Sequence, residues 1–234
     1  MQTNASKIAA IPAYNPDSKL LEVIDSLKLH GFTVIVINDG SDPGFSKVFE
    51  SASEADMILT HKRNLGKGSA LKTGFDYVRR NFTPPYVVAT VDADGQHETG
   101  NILTVARAAK SNPGTLIIGS RRLGSDAPIR SRSGNFITRK VLHALTPVKV
   151  YDTQSGLRAF DSSLIDLMCE IPGERYEYET RVMIELTRRG VPIKEVRIMA
   201  VYIGDNSSSH FRTWYDAQRI YRVIFRSAGK RVNK

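Results

Sequence analysis

Along the first half of the chain, short apolar runs rich in β-branched residues alternate with longer stretches whose apolar positions recur every three to four residues. The runs at residues 7–13, 33–38, 56–60, 86–92 and 115–119 predict strands. Between them, residues 18–30, 45–53, 69–80 and 101–110 carry the helical period. Strands alternating with helices predict βαβ units, hence an α/β fold with a mostly parallel central sheet and helices on both faces. In such sheets ligands bind beyond the carboxyl ends of the strands. Four polar clusters directly follow predicted strands: Pro12 to Asn15, Asn38 to Asp42 ("NDGSD"), Asp92 to His97 ("DADGQH") and Gly119 to Arg122 ("GSRR"). The pattern therefore predicts that all four line one edge of the sheet.

The second half is less regular. A basic, Ser- and Gly-containing stretch at 119–135 leads to a predicted helix at 136–145, and "YDTQSGLRAF" (Tyr151 to Phe160) precedes another at 162–169. A further helix at 178–189 ends at Gly190, a strand spans 193–203, and a last helix starts near Arg212. No composition break, internal repeat or low-complexity tract marks a second domain. The expected organisation is one domain over residues 1–211, followed by a basic amphipathic helix and tail over 212–234.

Composition narrows the class. A chain of 234 residues, 41% hydrophobic and 24% charged, is long enough to bury a substantial core and is not a disordered sequence. The lone Cys169, set among Leu167, Met168 and Ile171, excludes a disulfide framework and reads as a buried thiol in a reducing compartment. No apolar run approaches the roughly 18–20 residues needed to cross a bilayer, and the polar start "MQTNASK" lacks a signal-peptide core. A cytoplasmic protein is expected. With 33 Lys and Arg against 24 Asp and Glu, the net charge of +9 favours anionic partners. The aromatics are not interleaved with Lys and Arg as base-stacking platforms require, so nucleic acid is not expected among them.

Chemistry concentrates at strand ends. Asp92 and Asp94, at i and i+2 past a strand, can both turn toward one hard cation that keeps places for phosphate oxygens. Such a metal would stabilise a departing diphosphate. Asp-x-Asp-Gly also suits a plain hydrogen-bonded turn, but its place among other strand-end clusters favours the cation. The segment "NLGKGSALKTG" (Asn64 to Gly74) is no Walker loop, because Gly68 follows Lys67 where Ser or Thr is needed; the third glycine of a dinucleotide fingerprint would fall on Leu71. Its glycines either offer N–H groups at a helix N-terminus to a phosphate or only shape a turn. Arg121, Arg130, Arg132 and Arg158 form a second constellation, and clustered guanidinium groups suggest a further phosphate.

The series "IPAYN", "VINDGSD", "NLGKGSALKTG", "VDADGQH", "GSR", "RSGN", "DTQSGLRAF" and "PGERYEYE" resembles family 2 glycosyltransferases of the dolichol-phosphate mannose synthase and polyprenyl-phosphate glycosyltransferase branch, over residues 8–222. The resemblance implies a glycosyltransferase-A fold and an inverting transfer of a hexose from a UDP- or GDP-linked sugar to a polyprenyl or dolichyl phosphate. It implies that Pro12, Ala13, Tyr14 and Asn15 form the first nucleotide loop, with Asp39 contacting the nucleoside and Gly66 and Lys67 near the phosphates. Asp92, Ala93, Asp94 and Gln96 would form the diphosphate site, with Asp92, Asp94 and Gln96 holding Mg2+ or Mn2+ and His97 outside the ligand set. Arg121, Arg132 and Ser133 to Asn135 would hold the acceptor phosphate, with Arg158 nearby, and Asp152 would face the sugar. Asp94, Asp152 and Arg121 are then the expected catalytic residues. Relatives often carry an acidic residue directly after the Asn15 position, where this chain has Pro16 and then Asp17. A "QxxRW" signature of processive synthases is missing, so one sugar per encounter is expected.

A phosphate acceptor, with a second pKa of about 6, attacks without a general base. A hydroxyl acceptor would need one, and Asp152, Glu174, Glu177 and Glu179 are the candidates. A soluble or protein hydroxyl acceptor, or a sugar-nucleotide nucleotidyltransferase, are the alternative readings. In the last helix, Trp214, Ala217, Tyr221, Ile224, Phe225 and Ala228 fall at helical spacing, with Arg219, Arg222 and Arg226 opposite. That face suits either an anionic membrane interface, giving peripheral attachment on the cytoplasmic side, or docking on the protein's own core.

Overall fold

The computed structural model describes residues 5–121, 129–199 and 213–228, with the side chains of 129–135, 137, 213–215 and 228 outside the description. Seven strands are present among these residues: β1 (Ser6–Ala13), β2 (Phe32–Asn38), β3 (Met57–Thr60), β4 (Tyr86–Thr90), β5 (Leu116–Arg121), β6 (Arg158–Asp161) and β7 (Ile193–Ile198). The helices are α1 (Lys19–Leu29), α2 (Ser46–Ser51), α3 (Lys67–Asn81), α4 (Thr99–Ser111), α5 (Ile129–Leu145), α6 (Ile165–Glu170), α7 (Glu177–Arg188) and α8 (Thr213–Ala228).

One sheet runs in the order β3-β2-β1-β4-β6-β5-β7. It is parallel except at β6, which pairs antiparallel with both β4 and β5. Pleating alternates side chains between two cores. On β1, Ile8 and Ala10 join one cluster, with Phe75 of α3 and Val182 of α7, while Ala9 and Ile11 join the other, with Leu20 of α1 and Val105 of α4. Burial on both faces is why these strands read as continuous apolar runs rather than as alternating ones.

Three departures from the sequence reading matter for the site. Strand β6 was not expected. It is only four residues long and opens on Arg158, so no apolar run announces it, and the edges of β4 and β5 supply its hydrogen-bond partners. Gly119, Ser120 and Arg121 do not follow β5 but end it. Helix α5 begins at Ile129, not at 136, so Arg130, Arg132 and Ser133 lie on its first turns; their side chains, and Arg122, fall outside the description. The predicted strand at 193–203 closes at Ile198 within the described residues.

Helix α8 packs against α5 and α7. Val223 and Ile224 enter the core, Arg219 comes within 3.6 Å of Glu177, and Phe225 stays 60% exposed. The face expected to be uniformly apolar is thus split, with Ile224 turned inward and Phe225 outward, while Trp214 and Ala228 lie outside the described side chains. No described helix is long and apolar enough to cross a membrane.

Candidate active site

The order of strands around β1 positions the site. The chain leaves β1 for β2 on one side, and the sheet continues from β1 to β4 on the other, so the loops after β1 and β4 diverge around a crevice at the carboxyl edge. Asn15, just past β1, takes a left-handed φ of 47°, uncommon for a residue with a side chain. Its amide answers for the cost. Asn15 Nδ2 donates to Asp42 Oδ2 at 2.8 Å, Asp42 N donates back to Asn15 Oδ1 at 2.8 Å, and Asn15 N donates to Ser41 Oγ at 2.9 Å. The loops after β1 and β2 are therefore one unit, with Pro12 and Ala13 as the last residues of β1 and Tyr14 leading into the turn. Asp17 accepts from Lys19 N at 2.9 Å and so serves the start of α1.

Asp39, expected at the nucleoside, is 3% exposed. Its carboxylate accepts from His61 Nδ1 at 2.7 Å, Leu65 N at 2.9 Å and Gly66 N at 2.7 Å. The structure thus gives it the task of fixing the loop that enters α3. The same bond occupies the Gly66 N–H, which the sequence offered to a phosphate. Gly66 has φ 101°, and a Cβ there would stand 2.6 Å from the Glu174 carbonyl oxygen. Ser69 N donates to that carbonyl at 2.9 Å. The glycines let the N-terminus of α3 close against the turn before α7, which is the turn-shaping alternative.

Lys67, at the first position of α3, reaches back to the end of β4. Its ammonium lies 2.8 Å from Asp92 Oδ1 and 3.2 Å from Glu179 Oε1. His97, 8% exposed, places Nε2 3.4 Å from the other Asp92 oxygen. Burial alone would push the Asp92 carboxyl up, but Lys67 and His97 outweigh it and hold Asp92 well below the usual carboxylate range. Burial would likewise lower Lys67, yet Asp92 and Glu179 hold it well above its ordinary value. Asp94 is left in the opposite condition. Burial and the negative charge of Asp92 push its carboxyl up, and its Oδ1 accepts from Gln96 N at 3.0 Å.

Those two carboxylates bear on the metal expectation. Asp94 carries an electrostatic cost that a nearby cation removes, and Asp92, Asp94 and Gln96 offer the oxygen ligands that Mg2+ or Mn2+ prefers. No group of three or more His, Cys, Asp or Glu among the described residues forms a closed cage. An open set of two carboxylates is what a metal shared with substrate phosphates requires. The donor set therefore fits such an ion, which would share Asp92 with Lys67.

The arginine cluster is rearranged. Arg121 ends β5 and pairs with Asp152, Nε to Oδ2 at 2.9 Å. Asp152 is fully buried and also accepts from Arg121 N at 3.1 Å and Gln154 N at 3.0 Å. Expected to face a sugar, it faces Arg121 instead. Glu195 on β7, which the sequence did not single out, accepts from Tyr151 N at 2.8 Å and Asp152 N at 3.0 Å and so holds the turn. Arg158 does not join Arg121. It is 3% exposed, with Nη1 donating to the Glu179 carbonyl at 2.7 Å and Nε to the Ser155 carbonyl at 3.2 Å, because β6 carries it under the sheet edge. Gly156 was missed as well: a Cβ there would run into Asp92 Oδ2 and Lys67 Nζ, so glycine lets the strand-β6 loop close over that pair without displacing either side chain.

Comparison with known proteins gives this geometry a lineage. The UDP-N-acetylglucosamine–dolichyl-phosphate N-acetylglucosaminyltransferase of Methanococcus voltae is 25% identical over 94% of this chain and 95% of its own length. The undecaprenyl-phosphate 4-deoxy-4-formamido-L-arabinose transferase of Klebsiella pneumoniae is 24% identical over 86% of this chain, which spans 62% of that longer protein. The fold matches glucosyl-3-phosphoglycerate synthase of Mycobacterium tuberculosis, solved with Mn2+, UDP and glucosyl-3-phosphoglycerate, at a TM-score of 0.70 and 18% identity, over 98% of this chain and 82% of that one. The architecture is accordingly of the glycosyltransferase-A type. A family model described as glycosyl transferase family 2 matches residues 9–166, and with the crevice built by those residues the chain belongs to that family of glycosyltransferases.

Proposed function

We propose that this glycosyltransferase moves a hexose, with inversion, from a UDP- or GDP-linked sugar to a polyprenyl phosphate, with Mg2+ or Mn2+ held by Asp92, Asp94 and Gln96. The observation that carries the reading is the pair of carboxylates at the β1/β4 crevice, Asp92 balanced by Lys67 and Asp94 with its carboxyl pushed up by burial and by Asp92. When bound, the ion would neutralise charge on the leaving diphosphate. Lys67 and His97 keep Asp92 ionised and oriented, and Gly156 excludes bulk from that pair. Arg121, aimed by Asp152, brings a guanidinium to the same edge for an acceptor phosphate.

The acceptor class follows from what the candidate bases are doing. Asp152 is buried against Arg121, Glu177 accepts from Glu174 N and Arg175 N at the start of α7, and Glu179 pairs with Lys67. A phosphate monoester needs no base, which fits a site where three of the four candidates, all but the exposed Glu174, are engaged with neighbours. Two relatives named for dolichyl- and undecaprenyl-phosphate acceptors support the same choice. Residues 1–211 would form the catalytic region, and the 212–234 segment, through exposed Phe225 with Arg222 and Arg226, would meet an anionic cytoplasmic membrane surface.

The test is product analysis with purified protein, UDP- and GDP-hexoses, metal and polyprenyl phosphate. Nucleoside diphosphate and a lipid-linked hexose are expected. Pyrophosphate release would identify a nucleotidyltransferase, and transfer to a soluble hydroxyl without lipid would remove the acceptor. A second check is Gly156→Ala, whose added methyl must displace Asp92 or Lys67. Transfer should fall about tenfold or more with the fold retained, and an unchanged rate would show that the close approach is unimportant.

A further inference from the structure

A second group of cationic side chains, outside the Asp92 crevice, lines a cavity of about 430 Å³ between α5 and β7. Its walls include Arg139, Lys140, His143, Lys149, Tyr151 and Glu195. The volume suits a small ligand. Its charge is one-sided. Glu195 is the single carboxylate among the described lining residues, and both its oxygens accept from the backbone of Tyr151 and Asp152. Among the described residues no carboxylate makes an ion pair with Arg139, Lys140 or Lys149.

The cations are also held in place. The Arg139 guanidinium lies 4.5 Å from the Tyr151 ring centroid and 5.7 Å from that of Phe136, and Lys140 Nζ lies 5.6 Å from the Phe136 ring. Both rings are open to solvent, 51% for Phe136 and 39% for Tyr151. Lys149 Nζ donates to the His143 carbonyl at 2.8 Å, and His143 Nε2 donates to the Val150 carbonyl at 2.8 Å, which fixes the rim. Three positive groups, one of them a planar fork held against an aromatic ring, form a preorganised receptor for a phosphate group. Among the described residues these cations have no carboxylate partner, which suits an occupant that brings negative charge.

We propose that this cavity is a second anion site, which binds a phosphate-bearing group independently of the donor crevice. Two sources share that chemistry, a soluble phosphate and the phosphodiester of an anionic lipid, and the exposed rings beside the cations suit either. Occupancy bears on Tyr151, the neighbour of Asp152, so a bound phosphate is one residue away from the carboxylate that aims Arg121. The site stands on its own residues and does not rest on the identity of the sugar or its acceptor.

The experiment measures binding of inorganic phosphate by calorimetry at constant ionic strength, and co-sedimentation with phosphatidylcholine vesicles with and without phosphatidylglycerol. The proteins are the wild type, Arg139→Ala/Lys140→Ala, the single exposed-site variant Lys140→Glu, and Lys47→Glu on α2 as a charge-matched control at an exposed position away from both sites. Circular dichroism verifies folding. Saturable phosphate binding that weakens about tenfold or more in the two α5 variants, but not in the α2 variant, supports the site with a soluble source. The same variant dependence seen only with phosphatidylglycerol vesicles supports it with a lipid source. Absence of binding to both probes, or binding that the α5 variants leave unchanged or the α2 variant lowers equally, overturns it.

Discussion

Asp94→Asn is expected to lower sugar transfer by a factor of about a hundred to a thousand, or roughly 3–4 kcal/mol of transition-state stabilisation, while the melting temperature of the protein alone stays the same or rises. Asp94 is the informative member of the pair because the fold does not depend on its charge. Burial and Asp92 already push its carboxyl up, so a neutral amide of the same shape removes a repulsion rather than a support. Asp92 differs, since it is held between Lys67 and His97, and its removal would take from the buried Lys67 ammonium one of its two carboxylates. The measurement pairs initial rates against Mn2+ concentration with thermal shifts produced by Mn2+ and a nucleoside diphosphate. The wild type should gain stability from the ligands by mass action and the variant should lose most of that gain. A variant with full activity and an unaltered metal response would end the reading of Asp94 as a metal ligand.

Asp39→Ala should be the most destabilising single change near the site. Its carboxylate receives three hydrogen bonds at 2.7–2.9 Å, from Leu65 N, Gly66 N and His61, in a setting 3% exposed. Truncation leaves two backbone donors and an imidazole without their acceptor, at a cost of about 1–3 kcal/mol for each buried group. A total of about 3 kcal/mol or more corresponds to a fall in Tm of roughly 6–12 °C for a domain of this size. The loop from His61 to Gly66 should lose amide-exchange protection first, and Lys67, which follows it, should be released from Asp92. A Tm within about 2 °C of wild type would show that Asp39 is not the strut described.

The α/β class, five of the seven strands to within a residue or two, and the crevice-edge location of Asp92, Asp94 and Asn15 could all be read from hydrophobic runs and the residues that follow them. Such runs are legible because a strand buried on both faces must be apolar at every position, and because strand-end loops of a parallel sheet share one edge. The motif order in turn made the family legible, and the family match covers the residues that build that edge.

What one dimension could not show is which polar groups spend their bonding capacity on the fold. Asp39, Gly66, Asp152 and Arg158 have the residue types of a ligand site, yet each bonds to chain neighbours far along the sequence: Asp39 to residues 61–66, Gly66 to Asp39, Asp152 to Arg121, and Arg158 through Nη1 to the Glu179 carbonyl, its buried Nη2 having no partner among the described residues. Glu195 and Gly156 escaped notice for the converse reason. Neither stands in a motif, and their roles arise only when β7 lies beside β5 and the β6 loop folds onto Asp92. The sequence by itself determined the layered sheet, the family and the carboxylate pair, because periodicity and local spacing encode them. Only the tertiary structure decided how Lys67 sets the charge balance at that pair and that Arg121 turns to Asp152 while Arg158 turns to the Glu179 carbonyl, because hydrogen bonds and Coulomb interactions depend on distances through space that the order of residues does not contain.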